Sequence, residues 1–130
     1  MSTPLRVVLV GCGWFACVAH IPALRRLERE GRIRLVGFCS RSEASIARAS
    51  RLYARGDLKH YRSPEEVAED SDVDLVDLTL PIAVMPDAIR LFLSAAKHVI
   101  SEIDRRIAEL DGMAVPSAHQ GRSLMDGKVR

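Results

Sequence analysis

The 130-residue sequence predicts one α/β domain, a parallel sheet of five strands in the order 3-2-1-4-5 with room for a ragged sixth, and helices on both faces. Three observations predict it. Short Val/Leu/Ile-rich runs alternate with longer segments whose apolar residues recur every three or four positions. The spacings between runs are short, so each parallel return of the chain needs a helix. A glycine-rich turn follows the first run directly.

Leu5 to Val10 is the first such run and reads as a strand buried on both faces. From Phe15 to Glu30, Val18, Ile21, Leu24 and Leu27 form one apolar stripe, Arg25, Arg26, Glu28 and Arg29 fall off it, and Gly31 supplies a stop. Pro22 is a blemish in this helix, since it removes one backbone donor and is expected to kink or shift the first turns. Ile33 to Cys39 is the second strand, and Ser42 to Arg55 a second helix with Ile46, Ala49, Leu52 and Tyr53 inward. Lys59 to Arg62 makes a short third strand. In Ser63-Pro64-Glu65-Glu66, Ser63 caps a helix, Pro64 suits its first position and Glu66 closes a capping box. Asp74 to Leu80 is the fourth strand and Pro81 breaks it. Met85, Ile89, Phe92 and Ala96 mark one face of a helix starting near Pro86, and Lys97 to Ser101 is the fifth strand. The domain is expected to span 1–103. Beyond it, 104–130 read as an irregular tail with a helical turn or two at Arg105–Leu110 and an edge strand at Met113–Ala118.

Composition excludes several classes of protein. Hydrophobic residues make up 48% and charged residues 28%, the balance of a chain that folds rather than one that stays disordered. The net charge of +2 arises from 19 basic and 17 acidic residues spread along the sequence, so no basic stripe is set aside for nucleic acid. No run approaches the length of a membrane span, and Met1–Arg6 does not begin a signal peptide, which makes the cytoplasm the expected location. Cys12, Cys17 and Cys39 have neither disulfide nor zinc spacing, and no histidine pair has the spacing of metal ligands.

The informative motif is Gly11-Cys12-Gly13-Trp14-Phe15-Ala16, a G-x-G-x-x-A placed between the first strand and the first helix. Gly11 permits a tight turn, Gly13 has no side chain to keep a pyrophosphate from the backbone, and Ala16 lets the helix pack close to the sheet. The helix start offers free N–H groups and a partial positive charge. These are the features of a Rossmann-type dinucleotide site, with Trp14 and Phe15 beside the pyrophosphate. The bland alternative is a turn made by glycines. At the end of the second strand, Cys39-Ser40-Arg41-Ser42 carries no Asp or Glu to hold both ribose hydroxyls. Ser40, Arg41 and Ser42 instead suit a 2′-phosphate, so NADP is expected in preference to NAD. In the competing reading, Ser42 is a helix cap and Arg41 a solvated surface charge.

Val7–Ala23 (VVLVGCGWFACVAHIPA), Arg34–Ser42, Tyr61–Glu66, Asp72–Pro81 (DVDLVDLTLP) and Ala95–Glu102 (AAKHVISE) resemble, in order, the cofactor domain of the glucose-fructose oxidoreductase / inositol dehydrogenase / rhizopine catabolism (Gfo/Idh/MocA) family. The resemblance covers about four-fifths of the chain. It implies a nicotinamide-binding domain that a second α/β domain would complete with a substrate pocket and an oligomer interface. It also places Leu80 and Glu102 along the cofactor cleft, Glu102 either near the nicotinamide or capping a local turn. Three departures follow. The family's Glu-Lys-Pro is Glu102-Ile103-Asp104 here, so Ile103 stands where the proton-carrying lysine is expected. The family's Thr-Pro turn is Leu80-Pro81, and the histidine often found after it is matched by Met85. No catalytic residue is therefore assigned. The resemblance implies an NADP-binding oxidoreductase domain without its substrate domain, inactive alone and completed by a homodimer or a partner protein. A non-catalytic regulatory or scaffold subunit, or a truncated remnant, are the alternatives left open.

Overall fold

The computed structural model describes residues 3–101, together with two short strands, Leu124–Met125 and Gly127–Lys128, that pair antiparallel apart from the main sheet. Five strands, β1 (Leu5–Val10), β2 (Ile33–Cys39), β3 (Lys59–Tyr61), β4 (Leu75–Leu78) and β5 (His98–Ser101), form a sheet in the order β3-β2-β1-β4-β5. Every ladder is parallel, so the predicted fold class and strand order are observed. Helices α1 (Ile21–Arg29) and α2 (Glu43–Tyr53) cover one face, and α3 (Pro64–Glu69) and α4 (Met85–Ser94) the other.

The two cores follow from the alternation of β1. Its odd residues Val7 and Leu9 pack with Leu35 and Phe38 against Ile21, Leu24, Ile46, Ala49 and Tyr53. Val8 and Val10 point the other way, and pack with Val76 and Leu78 against Val67, Met85, Ala88 and Phe92. All four of these β1 side chains are at most 1% exposed, which is why the run is apolar without alternation. The helix starts behave as their sequences predict, since Ser42 Oγ accepts from the N–H of Ser45 and Ser63 Oγ from that of Glu66. Glu66 reaches back one residue further than the capping box requires, to the N–H of Arg62 at 2.9 Å.

Several expectations need correction. Val18 is half exposed rather than inward, because Ala16–His20 is a π-helical turn in which the N–H of Ile21 bonds to Ala16 O. The wider turn brings Ala16 under Ile21 and swings Val18 outward. Pro22 follows directly on this π-helical turn, inside a helical run that is continuous from residue 14 to 29, and has no N–H to give to the preceding turn, so the first turns are shifted as the sequence predicts. Leu52 is also exposed, since the buried stripe of α2 runs through Ile46, Ala49 and Tyr53 and leaves it on the flank. Ala96 lies beyond α4 in the left-handed region (φ 61°), and Lys97 is held back from β5 because its N–H bonds to Phe92 O. β4 stops at Leu78, where the chain begins to turn over the end of β1. The expected segments at Arg105–Leu110 and Met113–Ala118 lie outside the described residues.

β2 is bulged against β1, with Val7 opposite Leu35 but Val8 opposite Gly37. There the backbone passes so close to β3 that a Cβ on Gly37 would run into the Lys59 carbonyl. Gly37→Ala is expected to lower stability by about 1–3 kcal/mol, because neither backbone can retreat without breaking the ladder. Urea denaturation with an unchanged slope and a lower midpoint is the signature to look for.

Candidate functional site

β1 lies at the centre of the sheet, and the crossovers from β1 and β4 leave toward opposite faces, so the crevice where ligands bind in such sheets opens at the carboxyl end of β1. The chain turns there at Gly11, whose φ of +99° disfavours any side chain. Both neighbours of β1 stitch the turn down. The N–H of Gly11 donates to Cys39 O (2.9 Å), at the end of β2. From the other side, the N–H of Thr79 donates to Val10 O (2.9 Å) and its hydroxyl to Gly11 O (2.8 Å). A Cβ on Gly11 would lie 2.6 Å from Thr79 O and 2.7 Å from Thr79 Oγ1. Thr79 is thus part of the turn, one position before the Leu80-Pro81 step on which the family-like motif drew attention.

Gly13 is different in kind. A Cβ there would meet nothing within 4 Å among the described residues, which place no steric demand for glycine at this position. The bare backbone faces open space. The helix begins at Trp14, and the N–H of Cys17 makes its first bond, to Gly13 O at 3.1 Å. The N–H groups of Trp14, Phe15 and Ala16 precede that bond and have no acceptor within the helix. Ala16 is 1% exposed and packs into the core, as the motif predicts. Trp14, the chain's one tryptophan, is 77% exposed. Phe15 stands edge-on to the ring of His20, centroids 5.4 Å apart.

His20 makes a buried polar contact: its Nδ1 lies 2.7 Å from Asp77 Oδ2. Asp77 occupies the middle of β4, level with Leu9 of β1 and Ile100 of β5, and is 5% exposed. Its other oxygen, Oδ1, is buried without a hydrogen-bond partner among the described residues. The signal was available in DVDLVDLTLP, where one carboxylate interrupts a strand buried on both faces. The pairing was not, because the partners are 57 residues apart.

The end of β2 flanks the turn. The N–H of Ser40 donates to Tyr61 O, and Ser40 Oγ accepts from the N–H of Ser42. Ser42 caps α2, as its bland reading held, and Arg41 is exposed with no ion pair among the described residues. The nearby acid Glu43 is drawn off to Arg62 at 3.2 Å. Arg48, overlooked in the sequence, also has no acidic partner among the described residues, and its charge favours ionisation of Cys12. Burial outweighs it and pushes the Cys12 thiol up to about 12, and burial likewise lifts that of Cys39 to about 12, so both are inert thiols. Leu80 is half-buried after β4, while Met85 is 2% exposed in the core beneath α4 and faces no cleft. Glu102 and Ile103 lie outside the described residues. Among those described, no three His, Cys, Asp or Glu side chains could hold a metal. No helix among them is long and apolar enough to cross a membrane.

A doubly wound sheet with a glycine turn at its switch point defines a nucleotide-binding domain of the Rossmann class. The chain belongs to the oxidoreductase family with an NAD-binding Rossmann fold, Gfo/Idh/MocA, whose model matches residues 5–103. It is 36% identical over 104 residues to the dehydrogenase FPY6 of Fusarium mangiferae, covering 74% of this chain and 29% of that protein. An oxidoreductase from Thermotoga maritima superposes with a TM-score of 0.70 at 29% identity, over 88% of this chain and 36% of its own. The 3-ketoreductase KijD10 of Actinomadura kijaniata, solved with NADP and TDP-benzene, gives 0.67 at 28% identity, over 82% and 32%. The chain spans between 26% and 29% of the length of the curated relatives it matches.

The two glycines of the motif should separate on substitution. Gly11→Ala is expected to cost roughly 2 kcal/mol or more, from a positive φ and a clash with Thr79. Gly13→Ala should stay within about 0.5 kcal/mol of the parent in the ligand-free chain. Thermal unfolding of both variants checks the contrast, and equal losses would show that the turn is read wrongly.

Proposed function

We propose that these residues bind NADP(H) across the carboxyl edge of the sheet and serve as the cofactor half of a sugar-type oxidoreductase. The observation that carries the proposal is the open backbone of Gly13 beside a helix start with unused N–H groups. A diphosphate fits that surface because none of the described residues fills it. In this reading Gly11, Gly13, Trp14 and Phe15 surround the pyrophosphate, Ser40, Arg41 and Ser42 take the adenosine ribose and its 2′-phosphate, and Leu80 and Glu102 border the nicotinamide half. Bound there, the dinucleotide would supply a hydride carrier. The preference for NADP(H) is supported by the lack of a carboxylate after β2, by the withdrawal of Glu43 toward Arg62, and by the NADP in KijD10.

Hydride transfer from an alcohol also needs a held substrate and a group that takes the hydroxyl proton. Ile103 cannot take it. The 130 residues by themselves are therefore proposed to bind cofactor without turnover and to contact a second copy or a partner protein. Ile100 on the edge strand β5 is 52% exposed and suits such a contact. The three free cysteines accord with a reducing, cytoplasmic setting.

Calorimetry with NADPH and NADH tests the binding. NADPH is expected to bind about tenfold or more tighter, and Arg41→Gln to remove most of that gap, since a charge-assisted bond to phosphate contributes about 1.5–3 kcal/mol. No binding of either cofactor at millimolar concentration would end the proposal, whereas a preference for NADH would end only the role of Arg41. Nicotinamide absorbance over a panel of sugars and polyols should show no turnover by the chain alone, nor by Ile103→Lys, which regains a proton carrier but no substrate site. Turnover by the unaltered chain would contradict this.

A further inference from the structure

We propose that the His20–Asp77 pair sets the phosphate-binding turn in its binding geometry, which makes both side chains positioning residues for the dinucleotide; the inference rests on the reading of the cleft given above. Asp77 shares its sheet face with Leu9 and Leu75, both in or against the core under α1. A carboxyl group in such a place is costly unless it is bonded, and an apolar side chain would pack there with less penalty. What the carboxyl offers instead is a direction. Oδ2 holds His20 Nδ1 at 2.7 Å, with the two side chains only 7% and 11% exposed.

His20 is the last residue of the π-helical turn Ala16–His20. Such a turn is a rarer and less favourable winding than the α-helix, and persists where its surroundings over-determine it. His20 is pinned to β4 at one end, and Gly11 is stitched to β2 and β4 at the other. The intervening chain accommodates one extra residue between two fixed points. The ring of His20 also backs Phe15, the second residue of the helix, at 5.4 Å. A line of contacts thus runs from Asp77 through His20 and Phe15 to the N–H groups that face the cleft. With His20 released, the segment can rewind as α-helix. Losing one residue from the turn would rotate Trp14 and Phe15 by roughly 100° about the helix axis and carry their N–H groups off the cleft.

The test uses three variants of the full chain: His20→Ala, His20→Asn, and the double variant His20→Leu with Asp77→Leu. Each is followed by thermal unfolding, by the emission of Trp14 without ligand, and by calorimetry with NADPH and NADH at a temperature where it is fully folded. An apolar pair replaces the packing but not the direction of the bond. The double variant is expected to fold with undiminished stability, to shift the Trp14 emission, and to bind both dinucleotides at least tenfold more weakly with their ratio unchanged. His20→Asn keeps a donor where Nδ1 stood and should recover most of the affinity. A folded double variant that binds within twofold of the parent with unshifted emission would overturn the proposal and leave the pair a packing feature. Should His20→Ala fail to fold, the double variant decides. If the parent binds neither dinucleotide, the proposed function falls, and the Trp14 emission of the ligand-free variants still decides whether the pair holds the turn.

Discussion

The close approach of Gly11 to Thr79 is the constraint on which the site depends. A central strand must hand its chain to a helix within a few residues, and the first of them is caught between the ends of both neighbouring strands. The bond from the Gly11 N–H to Cys39 and the bonds from Thr79 to Val10 and Gly11 tie three strand ends together. No side chain fits there, and the positive φ would be strained with one. Because the three ends are tied, the first helix starts at a fixed point over the crevice, and the serines after β2 come to lie beside it.

The two motif glycines consequently serve different ends. Gly11 answers to the protein's own packing, whereas Gly13 answers to nothing among the described residues. A glycine without an internal reason is informative, since it costs backbone entropy in every folded molecule. Its bare surface, the unused N–H groups of the first turn and the partial positive charge of the helix end coincide. A phosphate group is the ligand that draws on all three.

Charge is distributed to match. Among the described residues, most arginines pair with nearby acids, as in Arg6 with Asp74, Arg34 with Asp57 and Arg55 with Glu28. Arg41 has no such partner among the described residues, and the one acid that follows it closely turns away to Arg62. On the opposite side of the turn the only buried acid among the described residues is Asp77, which bonds to His20.

The sequence by itself determined the fold, the order of the strands and the location of the turn. These rest on local patterns, namely apolar runs, three-to-four-residue periodicity, capping residues and adjacent glycines, each legible within a dozen residues. It also located the serines and the arginine after β2, because in this sheet order the end of the second strand must lie beside the end of the first. What it missed was decided by partners distant along the chain. Val18 looked inward because periodicity assumes an α-helix, and the π-turn that displaces it ends at His20, whose bonded carboxylate lies 57 residues away. Thr79 looked like the last residues of a strand, and its role is fixed by a backbone 68 residues earlier. Hydrogen bonds between residues so far apart leave no period in a sequence, so only the folded chain could assign them.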